Sequence, residues 1–168
     1  MNEKIQQLID TQEIGQLMAR YGRAADWLDI AAMKACFGKE AVVSFGTQRI
    51  PANVFCDFWS NMGSGFKARH HLLGTPLISF TGNDSAYVEV PAIVAGTRAE
   101  QGTRSRDFME CNRYIVDAVR NTGGWQFAAL RVFITWSQGA PTSTGMESGG
   151  PLDQDVDLNH PNFVALRD

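Results

Sequence analysis

The sequence has no hydrophobic run long enough to cross a membrane and no cluster of basic residues. Its longest apolar stretches, such as residues 90–95, fall far short of the ~18 residues that a spanning helix needs. The net charge is −3, and the lysines and arginines are scattered, so we expect no binding to nucleic acid or membranes. The first residues do not have the pattern of a signal peptide, which predicts a cytoplasmic protein.

Cysteine and histidine are also scarce. The three cysteines, Cys36, Cys56 and Cys111, show no paired spacing, which predicts reduced and mostly buried thiols. The three histidines form no His-x-x-x-His pair, and neither a glycine-rich phosphate loop nor a nucleophile elbow is present. We therefore expect no metal ion and no bound cofactor.

What the sequence does contain is a long amphipathic helix pattern at its start. Asp10 and Glu13 resemble a capping box, which predicts a break near Asp10 and a fresh helix start there. Asp29 is a predicted N-cap for a short second helix that ends at Gly38. A third helix is predicted after Pro51. The apolar positions of the first pattern recur at intervals of three and four residues: Ile5, Leu8, Ile9, Ile14, Leu17, Met18 and Tyr21.

Strand patterns come after the helices. Residues 41–45 form one predicted strand, and residues 46–49 a turn. Further strands are predicted over 71–80, 85–98, 108–119 and 125–137, with turn residues between them. Helices succeeded by a long meander predict the α+β class, with the helices packed on one curved sheet.

The composition changes after residue 137. Gly, Pro, Ser and Thr dominate residues 138–151, and acidic residues dominate 153–157. This predicts one domain over 1–137 and a mobile or surface-tracking tail over 138–168. Apolar residues return at the very end, so the tail is a candidate lid or inter-subunit arm, with a frayed terminus as the alternative.

Four stretches of the sequence carry a resemblance: residues 14–26 with Phe37 and 41–45, residues 69–71, residues 113–125, and Leu130–Arg131 with Trp136. Together they resemble the polyketide cyclase-like (SnoaL-like) branch of the nuclear transport factor 2-like superfamily. Their order and spacing cover about residues 10–137, nearly all of the chain except the tail. The resemblance implies a cone-shaped barrel in which a strongly curved, mostly antiparallel sheet wraps around the N-terminal helices and leaves an internal apolar cavity. It also implies a homodimer or homotrimer.

The resemblance also implies a site. In dehydratase and dehydrochlorinase members, an Asp on the first long helix orients a His on the sheet, and these positions match Asp26 and His71. A carboxylate that binds one ring nitrogen fixes the imidazole tautomer and stabilises the imidazolium formed. His71 is then the base, Asp26 its partner and Tyr21 a proton or hydrogen-bond donor. His70 is the less suitable base, because strand alternation turns its side chain to the opposite face. From the residues alone, an Asp near a helix end is more often a cap or a surface charge, and a lone His in a strand is ordinarily structural or exposed.

Apolar side chains are the predicted cavity walls, and they favour a small hydrophobic or aromatic substrate. Leu130 takes a last-strand position where several relatives carry a polar or basic side chain, and Arg131 should then point away. We therefore expect no cationic side chain in the cavity and poor binding of anions, although a register shift of one residue would reverse this. The candidate substrate-binding residues are Phe45, Phe55, Trp59, Leu130 and Phe133.

These features predict a cofactor-independent lyase, a dehydratase or related β-eliminating enzyme. An isomerase or cyclase using the same His–Asp pair is one alternative. A non-catalytic ligand-binding module, such as a dioxygenase-type β subunit, is the other. A structure with His71 within ~3.2 Å of Asp26 and open to a cavity would favour catalysis.

Overall fold

The computed structural model describes residues 3–45, 48–98 and 106–139. The predicted tail therefore lies outside the described residues, except for residues 138 and 139, which belong to the last strand. These described residues form three helices and seven strands in this order: α1 (Glu3–Trp27), α2 (Ile30–Ala35), β1 (Phe37–Phe45), β2 (Gln48–Pro51), α3 (Ala52–Gly63), β3 (Phe66–Leu73), β4 (Leu77–Gly82), β5 (Ser85–Arg98), β6 (Arg106–Asn121) and β7 (Gly124–Gly139).

Helix α1 is continuous over 25 residues, so the predicted break near Asp10 is wrong. The Asp10 side chain is not a cap. Its Oδ1 accepts hydrogen bonds from Gln6 Nε2 at 3.0 Å, Arg120 Nη1 at 2.5 Å and Trp125 Nε1 at 3.2 Å. The carboxylate is therefore used for tertiary contacts, which local sequence patterns do not reveal.

The turn after α1 agrees with the prediction. Leu28 takes a positive φ of 53°, which ends the helix. Asp29 then caps α2, since its Oδ1 accepts a hydrogen bond from the backbone N–H of Ala32 at 3.0 Å. This turn sets the direction in which the chain leaves α1, immediately after Asp26.

The strands form one curled sheet that does not close. Its order is β2-β1-β7-β6-β5-β3, with β4 paired to β5. All pairs are antiparallel except β1 with β7, which run parallel. The α+β class and the curved, mostly antiparallel sheet are therefore confirmed.

Several boundaries differ from the prediction. Strand β1 begins at Phe37 rather than at residue 41, so Gly38, the predicted end of the second helix, lies in this strand and α2 ends at Ala35. The strand expected over 71–80 is two strands, β3 and β4, which both pair with β5. The break lies at Gly74, whose N–H donates to the Pro91 carbonyl at 2.8 Å; a Cβ at this position would lie 2.8 Å from Pro91 Cγ. Pro76, two residues later, has no N–H for a strand pair. In addition, residues 48 and 49, predicted as turn, belong to β2.

The main hydrophobic core lies between α1 and one face of the sheet. Tyr21 contacts Phe37, Tyr114 and Phe127 edge to face, with ring centroids 5.6–6.1 Å apart. This arrangement suits aromatic quadrupoles and anchors α1 on the sheet. None of the helices within the described residues is long and apolar enough to span a membrane.

The three cysteines are free thiols. Cys36 and Cys56 are buried, and Cys111 is half-buried. Burial raises the pKa of both Cys36 and Cys56 to about 11, so these thiols stay protonated at neutral pH.

Candidate active site

A cavity of about 530 Å³, its open mouth included, lies between the helices and the inner face of the sheet. Most of the wall is apolar, and the polar groups come from α1, β3, β5 and β6. The lining residues are Tyr21, Phe45, Phe55, Trp59, Met62, Phe66, His71, Val94, Arg98, Phe108, Glu110, Asn112, Tyr114 and Val132.

The last turns of α1 approach the middle of β3 closely. Gly22 permits this approach, because a Cβ there would lie 3.1 Å from Leu73 Cδ1 and 3.6 Å from His71 Cβ. Arg69 holds the end of the helix, since its Nε donates to the Asp26 carbonyl at 3.1 Å and its Nη1 donates to the Gly63 carbonyl. The ends of α1 and α3 are thereby fixed against β3.

This packing brings Asp26 and His71 into direct contact. Nδ1 of His71 lies 2.6 Å from Oδ1 of Asp26, and the His71 backbone N–H donates to Oδ2 at 3.1 Å. The His71 and Asp26 side chains are 4% and 16% exposed, respectively. The Asp26 carboxylate thus accepts from the ring and the backbone of one residue, which leaves Nε2 as the basic ring nitrogen.

The Asp26 carboxylate is held in its charged form. Burial alone would raise its pKa, but the hydrogen bonds from the His71 ring and backbone, together with the charges of His71 and His70, hold the pKa below its usual value of 3.8. An anionic partner stabilises a protonated imidazole, so the pair is suited to accept a proton at Nε2.

His70 lies outside the cavity. Its side chain is 71% exposed, and its Nδ1 is 3.8 Å from Asp26 Oδ2. It therefore lies close to the carboxylate but does not face the space in which a ligand would lie.

Two tyrosines line the cavity beside the pair. Tyr21, from α1, and Tyr114, from β6, are 3% exposed each. Burial raises the pKa of both phenols, and each is further raised by neighbouring acidic groups. Both side chains therefore remain protonated and can donate hydrogen bonds.

The predicted wall residues separate into two groups. Phe45, Phe55 and Trp59 line the cavity, and the Trp59 ring meets the His71 ring edge-on at 5.9 Å. Leu130 and Phe133 do not line it. Leu130 is fully buried in the core beneath, and Phe133 neighbours Val132, the β7 residue that does face the cavity.

The expectation of a cavity without a cationic side chain is wrong. Arg131 is absent from the lining, and its Nη2 pairs with Asp117 Oδ2 at 3.0 Å, as expected for a side chain that points away. Arg98, from β5, does line the cavity, and its guanidinium lies 5.0 Å from the centre of the Phe66 ring. The cation thus comes from β5, whereas the expectation was based on the last strand alone.

Sequence reasoning also missed Glu110 and Asn112. They are 7% and 5% exposed and line the cavity with Tyr114. The signal was the two-residue alternation of β6, which places these three side chains on one face. Within the described residues, no group of three or more His, Cys, Asp or Glu side chains has an arrangement that could hold a metal ion.

The family model described as "SnoaL-like domain" matches residues 6–131. The chain belongs to this family. The match includes both members of the His71–Asp26 pair and all of the cavity-lining residues except Val132. No functionally curated protein matches the chain.

Several solved structures share the fold. A protein provisionally assigned as a scytalone dehydratase from Novosphingobium aromaticivorans has a TM-score of 0.78 and 16% identity, and the match covers 89% of this chain and 97% of that one. A hexachlorocyclohexane dehydrochlorinase from Novosphingobium barchaimii has a TM-score of 0.73 and 13% identity, covering 89% and 100%. A protein of unknown function from Mycobacterium tuberculosis has a TM-score of 0.66 and 18% identity, covering 99% and 89%. At these identities the likeness establishes the fold alone.

Proposed function

We propose that this protein is a cofactor-independent lyase that removes a proton and a neighbouring leaving group from a small, largely hydrophobic substrate. The observation that carries the proposal is the 2.6 Å contact between His71 Nδ1 and Asp26 Oδ1 at the wall of an apolar cavity. That contact meets the geometric requirement for an oriented general base.

His71 is the base in this proposal. With Nδ1–H donating to Asp26, the lone pair of Nε2 is available to take a proton from a substrate carbon. An imidazole is a weak base, so the carbon acid must be activated, as it is next to a carbonyl group. This requirement favours substrates such as β-hydroxy or β-halo carbonyl compounds.

Tyr21 and Tyr114 are the candidate hydrogen-bond donors for the activating carbonyl. Their raised pKa values keep the phenols protonated, so each can stabilise the negative charge that develops on the carbonyl oxygen. The aromatic side chains of Phe45, Phe55 and Trp59 favour a flat substrate in the same space.

The fold relatives support an elimination. Of the three relatives described above, two are, by their names, a dehydratase and a dehydrochlorinase, and both names describe eliminations. An isomerase or a cyclase would share the first proton transfer and would differ in the later steps.

The test is turnover of a panel of aryl β-hydroxy ketones, beginning with 4-hydroxy-4-phenylbutan-2-one. Elimination creates a double bond conjugated with both the ring and the carbonyl, which absorbs in the near ultraviolet. We expect formation of the conjugated ketone above the rate without protein, with the product identified by NMR. A panel that gives no product, or gives only rearranged or cyclised ketones, would contradict the lyase assignment.

A further inference from the structure

Besides Tyr114, strand β6 gives the cavity a polar face that consists of Glu110 and Asn112. The proposed function does not use these two side chains. Glu110 and Asn112 both line the cavity and are nine-tenths buried. Oδ1 of Asn112 is buried and has no hydrogen-bond partner among the residues that the structure describes. A buried acceptor left without a donor destabilises a protein, because the hydrogen bond that it makes with water in the unfolded chain is not replaced. Such an atom in a cavity wall is typical of a site that a ligand completes.

The sheet register places this polar face in line with the base. His71 of β3 pairs with Val94 of β5, and Val94 pairs with Glu110 of β6. Directly paired residues project from the same face of a sheet. Adjacent strands are about 4.8 Å apart, so the backbones of His71 and Glu110 are separated by about 10 Å with one valine between them. The two side chains therefore flank the same stretch of cavity wall.

The surroundings of Glu110 favour the protonated carboxyl. Burial raises its pKa, and the positive charge of Arg98 from β5, a hydrogen bond from Asn112 and the charge of His71 from β3 offset only part of that effect. A carboxyl group in an apolar site can keep its proton and donate it. The raised pKa makes Glu110 better suited to carry and donate a proton than an exposed glutamate, whereas the pKa of Asp26 is lowered.

We propose that Glu110 and Asn112 bind the leaving hydroxyl group of an alcohol substrate and that Glu110 donates the proton with which it departs. This inference rests on the proposed function and narrows it to dehydration. Oδ1 of Asn112 would accept a hydrogen bond from the hydroxyl group. A halogen at the same place has no hydrogen to donate and would leave that buried acceptor unpaired, so the site discriminates against halides.

The reaction balances without another reactant. The substrate C–H bond breaks, the proton goes to His71 Nε2, and the electron pair forms the new C=C bond. The C–O bond breaks, and its oxygen takes the Glu110 proton and leaves as water. The resulting imidazolium and Glu110 carboxylate return to their starting forms by proton transfer through water.

Binding can be tested without turnover. We would titrate the full chain by calorimetry with 2-naphthol and with 2-chloronaphthalene, which match in shape and differ in the hydroxyl group. One additional hydrogen bond predicts that 2-naphthol binds at least ~10-fold more tightly. Asn112→Leu should remove that preference. Arg113→Leu is the matched control on the same strand, because Arg113 is exposed and pairs with Glu89, and it should keep the preference.

Equal binding of the two ligands, or no binding of either, would overturn the hydroxyl site. A preference that persists in Asn112→Leu would do the same. If Asn112→Leu does not fold, Asn112→Ala removes the amide oxygen without adding bulk, and the same comparison applies.

The role of Glu110 is tested with Glu110→Gln in D₂O. Glutamine keeps the shape but cannot transfer a proton, so elimination from an aryl β-hydroxy ketone should slow by about 10²-fold. Exchange of the proton next to the carbonyl, monitored by NMR, should continue because His71 is intact. Unchanged elimination, or loss of exchange together with elimination, would overturn the proton-donor role. His71→Ala should lose both reactions; if it keeps them, the proposed function fails rather than this inference.

Discussion

Helix α1 carries two carboxylates that reach into the protein, Asp10 near its start and Asp26 near its end, and they have opposite surroundings. Asp10 accepts from Gln6, Arg120 and Trp125, so its hydrogen bonds are satisfied by groups that stay in place. Asp26 accepts from the ring and the backbone of His71, whose ring lines a cavity. The same residue type on one helix is thus structural in one place and suited to catalysis in the other.

The difference lies in the partner. The Arg120 guanidinium is always charged, and it is also held by Asp84 at 2.9 Å, so the partner of Asp10 cannot accept a proton. An imidazole has two ring nitrogens, and a carboxylate that binds one prepares the other for proton transfer. A buried carboxylate therefore indicates function only when its partner is titratable and faces an open space.

The largest expected effect is on His71. His71→Ala removes the base and should lower turnover of an aryl β-hydroxy ketone by about 10²–10⁴-fold, measured as formation of the conjugated product. The helix content by circular dichroism should not change. His70→Ala is the matched control and should keep a rate close to wild type, because His70 is exposed and lies outside the cavity. Equal losses in the two variants would remove His71 from the mechanism.

Asp26→Asn should lower the same rate by about 10²-fold. Asparagine still fits the site, but it cannot stabilise the imidazolium and does not fix the tautomer. Asp10→Asn is the same chemical change at the other end of α1 and should leave the rate unchanged. A wild-type rate in Asp26→Asn would make that carboxylate structural, like Asp10.

Although Asp10→Asn should not change the rate, it should lower the stability of the protein. Asp10→Asn weakens the charge-assisted bond to Arg120 and should lower the free energy of unfolding by about 1–2 kcal/mol, measured by urea denaturation. Trp125 reports on the same cluster, so its fluorescence should track the transition. An unchanged denaturation midpoint would show that the Asp10 cluster contributes little to the fold.

The smallest effect is the acid dependence of Asp26. Its folded-state pKa lies below the ordinary value of 3.8, so the folded state binds this proton less readily than the unfolded state. The stabilisation is therefore fully present above pH 3.8 and is lost as the pH falls through the lower folded-state pKa. Urea denaturation at about pH 6 and about pH 3 should show a larger loss in wild type than in Asp26→Asn. Equal losses would mean that His71 does not stabilise the Asp26 anion.

Much of the fold could be predicted from local pattern. The strand over Ser85–Arg98, the Asp29 cap and the α+β class depend on periodicity and turn residues, which act over a few neighbouring positions. The contact between Asp26 and His71 came from a family resemblance, since nothing in their spacing requires it. The break at Gly74 was missed because it depends on Pro91, a residue on another strand.

The amino-acid sequence by itself determined where helices and strands form and which faces are apolar, because these depend on local periodicity and side-chain chemistry. Only the tertiary structure decided that Asp10 is satisfied by Arg120 and Trp125, that Arg98 faces the cavity, and that Glu110 and Asn112 join it. The physical reason is that burial, hydrogen-bond satisfaction and charge depend on which distant strands the curled sheet brings together. A polar residue on an inward face becomes a site only when that packing leaves space in front of it.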